Sequence, residues 1–291
     1  MMRRTSSLLV PIALVATVVV VAPPAFATPT VIIGVIYKST PQYSLPLDIY
    51  LPPGPGPFPA VVAVHGGGFS TPGSRSGQIA TDAANLAGEG FVVYVPDYRA
   101  SCNRKRPPPG YDPTWCGYKS PASADDIRSA VQWVRDNAAT YQTDGARVGL
   151  LGVSTGGNLA NLAGILGTPG QDRGDVVVSW SGDGDLTATP NASSRKYIGC
   201  DFSVCPDKWH AASPTSVVTV DSAPLYLSGS EFDTLVPFSV EQAEIQRYND
   251  LGVQNQWHML YGVQCHARTC VNKYPVIWTE SVAWLHQWLG Y

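Results

Sequence analysis

The stretch "GLLGVSTGGNLA" at 149–160 sets a lone serine, Ser154, at the end of a hydrophobic run, with glycine two residues away on either side. A tight turn alone would account for glycines and a serine. The same G-x-S-x-G pattern, between an apolar strand and a helix, can instead hold a serine hydroxyl out as a nucleophile. Such a serine takes a strained backbone conformation, flanking side chains would clash, and the helix N-terminus favours developing negative charge. A neutral hydroxyl attacks poorly, so a base must take its proton. Of the five histidines, His65 heads a loop, His210 lies in a polar insertion, His258 falls mid-strand and His286 sits on the last helix. His266 alone follows the last strand on a loop and is the expected base. His258 and His65 read as structural hydrogen-bonding residues. The acid that orients an imidazole and stabilises its cation is expected at Asp233, just past "LYLSGS", with Glu231 as a close rival. "HGGGF" at 65–69 offers unobstructed backbone N–H groups for an oxyanion, and the Thr155 amide completes the hole.

These residues need a scaffold that gathers them. "TVIIGVIYKS" and "SLPLDIYLP" read as two antiparallel edge strands. "AVVAVHGGGF", "GFVVYVPDYR", 147–153 and "DVVVSWSG" are apolar runs suited to strands buried on both faces. "APLYLSGSEFD" and "VQNQWHMLYG" continue the series. Helices are predicted near 78–89, over "SADDIRSAVQWVRDNAATY", at 155–166, at 238–251 and over "PVIWTESVAWLHQWLG". Ser123 and Asp126 stand at capping-box spacing. Strands alternating with helices make an α/β domain with a mostly parallel sheet covered on both faces. Its chemistry belongs at the carboxyl ends of the strands, where "HGGGF", "DYR", Ser154, "EFDTLVP" and "GVQCH" all fall. Insertions near 101–120 and 183–222 interrupt the pattern and could fold over one edge as a small lid.

Composition bounds the rest. The chain has 291 residues, is 44% hydrophobic and 14% charged, which is globular rather than disordered. Arg3 and Arg4, the apolar run 8–22 and "PPAFA" read as a signal peptide over 1–27, leaving one domain over 28–291 in an exported, oxidising setting. No membrane insertion is expected after cleavage. The only basic run, "NRKRPPP" at 103–109, is short and proline-bounded, so no nucleic-acid partner is expected. The histidines are scattered and no cysteines have zinc-finger spacing, so no metal is expected. Export makes disulfides the natural state of the six cysteines. Local pairing of Cys102 with Cys116, Cys200 with Cys205 and Cys265 with Cys270 is preferred among about fifteen possible connectivities. A Cys265–Cys270 bridge would stiffen the loop carrying His266.

"HGGGF", "PDYR", "DDIRSAVQWVRDNA", "GVSTGG", "SGSEFDTLVP" and the "LGV…LYGVQCH" run together resemble the α/β-hydrolases. More specifically, they resemble carboxylesterases of the hormone-sensitive-lipase-like or acetyl- or feruloyl-esterase-like groups. The resemblance covers nearly all of 28–291 and implies Ser154, Asp233 and His266 as a triad, with Gly67, Gly68 and Thr155 as oxyanion donors. Val153 and Thr155 around the serine depart from the commoner residues, and "CHARTC" from a His-Gly-Phe ending. Those departures bear on substrate class. The expectation is a secreted serine hydrolase, without cofactor, cleaving small-molecule or polymer-linked carboxylic esters of short to medium acyl chain. An acyltransferase with the same triad and a non-catalytic surface-binding protein on this scaffold are the alternatives. Phe69, Trp115 and Trp180, with Tyr118 and Trp209, are candidates for a substrate pocket or for core packing. Oligomeric state is not legible in the sequence.

Overall fold

The computed structural model describes residues 28–70 and 75–290, so the expected leader over 1–27 lies outside the described residues. An eight-stranded sheet runs in the order β1-β2-β4-β3-β5-β6-β7-β8. Its strands are β1 (Thr30–Ser39), β2 (Ser44–Leu51), β3 (Phe58–Val64), β4 (Val92–Pro96), β5 (Thr143–Val153), β6 (Val176–Trp180), β7 (Leu225–Ser230) and β8 (Asn255–Leu260). β1 and β2 are antiparallel, as their sequences suggest, and every pair from β4 to β8 is parallel. β6, "VVVSW", is buried along its whole length, which is why it reads as a continuous apolar run rather than an alternating one.

Helices α1 (Gln78–Gly88), α8 (Arg268–Lys273) and α9 (Val276–Leu289) cover one face. Helices α2 (Ala122–Asp136), α3 (Thr155–Ile165) and α7 (Phe238–Leu251) cover the other. α3 is buried at every position, because it packs between the sheet and its neighbours. Among the described residues no helix is long and apolar enough to cross a membrane.

Three local readings change. Ser123 and Asp126 do not form a capping box: α2 begins behind Pro121, without a side-chain cap. Ser123 Oγ instead donates to the Arg99 carbonyl at 2.6 Å. Asp126, fully buried, accepts from the Arg99 backbone N–H at 2.9 Å and its Nε at 2.8 Å, and pairs with Lys38 Nζ at 2.7 Å. A carboxylate that far inside serves long-range cations before a helix end. The 183–222 insertion is also less open than its polarity suggests. It folds into α4 (Ala192–Ile198), α5 (Pro206–Ala211) and α6 (Pro214–Val217), with Tyr197 and Trp209 buried beneath. Finally, α8 fills the loop expected between β8 and the closing helix.

The strand order reverses between β3 and β5, which lie side by side with Val64 opposite Gly152. Loops leaving adjacent strands in opposite directions open a crevice there. The glycine loop follows β3 and Ser154 follows β5.

Candidate active site

Ser154 occupies a sharp turn from β5 into α3, with φ 56° and ψ −124°. That conformation is costly for a residue with a Cβ and persists only where the surroundings over-determine it. The flanking glycines are what make it possible. A Cβ on Gly152 would stand 2.1 Å from the Gly156 carbonyl oxygen, and one on Gly156 would stand 2.2 Å from that of Val64. The Ser154 N–H donates to the Trp180 carbonyl at 2.8 Å, fastening the turn to β6.

The Ser154 hydroxyl meets a histidine. His266 Nε2 lies 2.7 Å from Ser154 Oγ, and His266 Nδ1 lies 2.7 Å from Asp233 Oδ2. A carboxylate oxygen accepts, so Nδ1 is the donor toward Asp233 Oδ2 and the Nε2 lone pair faces the hydroxyl. The Asp233 side chain is fully buried and that of His266 is 22% exposed. The other Asp233 oxygen accepts from the backbone N–H of Leu235 at 2.8 Å and of Val236 at 3.2 Å. The loop "TLVP" therefore wraps the carboxylate that the imidazole faces. The rival Glu231 stays exposed and accepts from the Gly262 N–H at 2.6 Å.

The histidine loop is held from several directions. Disulfides join Cys102 to Cys116, Cys200 to Cys205 and Cys265 to Cys270, the last spanning His266. The Thr269 hydroxyl accepts from the His266 N–H at 2.9 Å and donates to its carbonyl at 2.7 Å. Ala267, with φ 46°, is fixed by its N–H donating to Ser181 Oγ at 2.9 Å.

The glycine loop passes close to the serine. A Cβ on Gly66 would meet the Val153 carbonyl at 2.8 Å and Ser154 Cβ at 3.2 Å. Gly67, Gly68 and Phe69 all have positive φ, at 137°, 59° and 59°. Thr155 is the first residue of α3, so its N–H has no acceptor within the helix. Residues from other elements brace this loop. Tyr98 donates to the His65 carbonyl at 2.8 Å, and Ser101 donates to the Phe69 carbonyl from both N–H and Oγ at 2.9 Å. Ser193 of α4 donates to the Gly68 carbonyl. His65 is buried, stacks on Tyr98 and hydrogen-bonds the Gly66 carbonyl through Nδ1 at 2.9 Å. Burial lowers its pKa, so it stays a neutral donor.

A cleft of about 600 Å³ opens at Ser154, lined by Gly68, Phe69 and Thr155 on one side and by residues of both "TLVP" and the 183–222 insertion on the other. Asp183 lies in its wall, with its carboxyl raised to about 6 by burial despite a hydrogen bond from the Asp185 N–H. Of the three aromatic pocket candidates, Phe69 reaches the cleft, backed by Tyr197 at 4.1 Å between ring centres. Trp115 and Trp180 do not. Trp115 packs edge-on against Tyr111 and donates to the Ser44 carbonyl at 2.8 Å. Trp180 is fully buried against α9 and donates to Ser281 at 3.0 Å. Strand alternation turns its ring away from the cleft, so only its carbonyl serves the serine turn. Trp209 likewise is core, donating to the Cys200 carbonyl at 3.0 Å. Sequence reasoning did not identify Tyr98, Ser101, Ser181 or Ser193, which support the loops. "PDYR" after a strand was the one local signal; the serines are generic in a chain of this composition.

A family model described as BD-FAE matches residues 47–245. The esterase LipQ of Mycobacterium tuberculosis is 27% identical over 225 residues, covering 71% of this chain and 50% of LipQ. The carboxylesterase NlhH of the same species is 34% identical over 130 residues, covering 43% of this chain and 36% of NlhH. The chain thus spans half or less of the length of these curated relatives. Among solved structures, a truncated carbohydrate esterase from gut microbiota superposes with a TM-score of 0.68 at 22% identity, over 90% of this chain and 99% of its own. The propionate-bound esterase Est2 of Thermogutta terrifontis gives a TM-score of 0.70 at 21% identity, over 92% and 98%. At those identities the likeness establishes the fold, and the matched span establishes the lineage. The chain is a member of the BD-FAE family, built on the α/β-hydrolase fold.

Proposed function

We propose that this protein is a serine hydrolase of carboxylic esters, with Ser154 as nucleophile, His266 as base and acid, and Asp233 as the orienting carboxylate. The observation that carries the reading is the unbroken chain of contacts from Asp233 through His266 to Ser154, 2.7 Å at each link. His266 Nε2 takes the hydroxyl proton as Ser154 Oγ attacks the ester carbonyl. The backbone N–H groups of Gly67, Gly68 and Thr155 stabilise the oxyanion. The imidazolium, balanced by Asp233, returns its proton to the departing alcohol. Water, deprotonated by His266, then attacks the acyl-serine and frees the acid.

Phe69, Leu186, Pro190, Leu235, Val236 and Pro237 give the cleft of about 600 Å³ its apolar surface, which suits short to medium acyl chains. Thr189, Asn191, Ser193 and Thr234 on its walls suit a hydroxylated alcohol such as a sugar. Two solved neighbours, a carbohydrate esterase and an acetyl ester-xyloside bifunctional hydrolase, point the same way. A leader over 1–27 and one hydrolase domain over 28–291 complete the reading. Three cystines are compatible with the oxidising compartment to which such a leader would deliver it.

The test is a panel of p-nitrophenyl esters from acetate upward, on the wild type and Ser154→Ala. Turnover is expected to peak at short or medium chains and to fall by about 10⁴-fold or more in Ser154→Ala. A Ser154→Ala protein that keeps wild-type turnover would overturn the nucleophile assignment. Fastest turnover on long-chain emulsions would overturn the chain-length assignment. An N-terminus at Thr28 in protein recovered from the culture medium would support the leader.

A further inference from the structure

Two residues past His266, the first residue of α8 is an arginine whose side chain is only 17% exposed. Arg268 Nη1 lies 2.9 Å from Asp82 Oδ1 on α1, and the Asp82 side chain is only 1% exposed. The guanidinium stands 5.6 Å from the ring centres of both Trp180 and Trp278. With its carboxamide turned over, Gln78 would present its oxygen to Nε at 3.2 Å and Nη2 at 3.3 Å. Isolated buried carboxylates are costly, and an ion pair at such depth contributes little net stability over apolar packing. Its location suggests what it contributes instead. A cavity of about 280 Å³ lies behind the glycine loop, walled by His65, Gly66 and Gly67 on one side and by Gln78, Asp82 and Arg268 on the other. The pair therefore ties the loop that presents the imidazole to the helix that follows the oxyanion loop. The disulfide Cys265–Cys270 fixes the histidine loop to itself; Arg268 fixes it to α1.

We propose that Arg268, held by Asp82 and by the two indole rings, is a positioning residue that sets His266 in register with Ser154 and with the oxyanion amides. This rests on the ester-hydrolase reading above. The guanidinium stands beside both rings, whose centres are 6.0 Å apart, and its planar fork pairs with a carboxylate in a way that the point charge of an ammonium does not reproduce.

The experiment compares the wild type with the double variant Asp82→Asn/Arg268→Gln, which leaves no unpaired buried charge, and with Arg268→Lys. kcat and KM are measured on p-nitrophenyl acetate, active sites are titrated with a phosphonate, and folding is followed by thermal melts. Misplacing a base by a fraction of an ångström costs rate rather than ground-state binding. The double variant should lose on the order of 10- to 100-fold in kcat while KM stays within about twofold. It should still take up one phosphonate per chain, at a rate reduced in the same proportion, and Arg268→Lys should fall between the two. A kcat within about twofold of the wild type in the folded double variant would overturn the proposal. So would a loss of kcat matched by a loss of titratable sites, which is the mark of misfolding alone. A wild type that takes up no phosphonate would sink the nucleophile reading, and this proposal with it.

Discussion

At the scale of single residues, burial separates Asp233, the acid expected from the sequence, from its close rival Glu231. Asp233 and Glu231 both follow β7, and nothing in "SGSEFD" distinguishes a carboxylate that faces a histidine from one that caps a loop. Asp233 is enclosed and touches the imidazole, whereas Glu231 accepts from Gly262 in the open. Asp233→Asn should therefore drop kcat by on the order of 10³- to 10⁴-fold, because an amide offers the ring a donor and favours the wrong tautomer. Glu231→Gln should leave kcat within about twofold. Parallel steady-state assays of the two variants check the assignment, and a larger loss in Glu231→Gln would reverse it. Ser154 itself was legible from its glycines, since its backbone conformation excludes side chains at 152 and 156. Trp115 and Trp180 were not legible, since indoles suit pockets and cores equally.

At the scale of elements, two disulfides form a natural control. Cys200–Cys205 and Cys265–Cys270 have the same sequence separation of 5, so the chain-entropy account assigns both the same stabilisation, about 2 kcal/mol. Only the second encloses His266. Replacing either pair by alanines should lower the unfolding free energy by a similar amount in urea titrations. Replacing Cys265 and Cys270 should in addition reduce kcat several-fold more than replacing Cys200 and Cys205. Equal kcat in the two variants would remove the claim that the staple presents the base. The same reasoning accounts for α4. Its Asn191 cap, with Ser194 closing the capping box, seats the helix so that Ser193 reaches the Gly68 carbonyl across the cleft.

At the scale of the whole molecule, buried carboxyls set the response to pH. Glu244 on α7 is buried, accepts from the Asn161 amide, and sits where a Cβ on Gly184 would come within 2.3 Å of it. Burial raises its pKa from 4.5 to about 8. Glu241, one turn earlier, is raised by burial and by Asp233, Glu244 and Asp183 nearby. Between pH 4.5 and about 8 the folded chain keeps a proton on Glu244 that the unfolded chain has released. Stability therefore falls as pH rises through that window, by up to about 1.4 kcal/mol per pH unit for this one group. Asp82 and Asp183, each raised from 3.8 to about 6 by burial, act in the same direction over their own lower window. Glu244→Gln should match the wild type in melting temperature near pH 4.5 and exceed it increasingly up to about pH 8. Melts across pH that run parallel for the two proteins would refute this.

The sequence by itself determined the alternation of strands and helices, the serine turn and the chain order of serine, acid and histidine. Each rests on local physics: apolar runs that must be buried, and glycines demanded by backbone geometry. Tertiary structure decided which aromatics line the cleft and what braces the glycine loop. Those outcomes depend on contacts between residues far apart in the chain, such as Ser193 with Gly68 or Arg268 with Asp82. No local pattern records which distant partner a side chain will face once the sheet has closed.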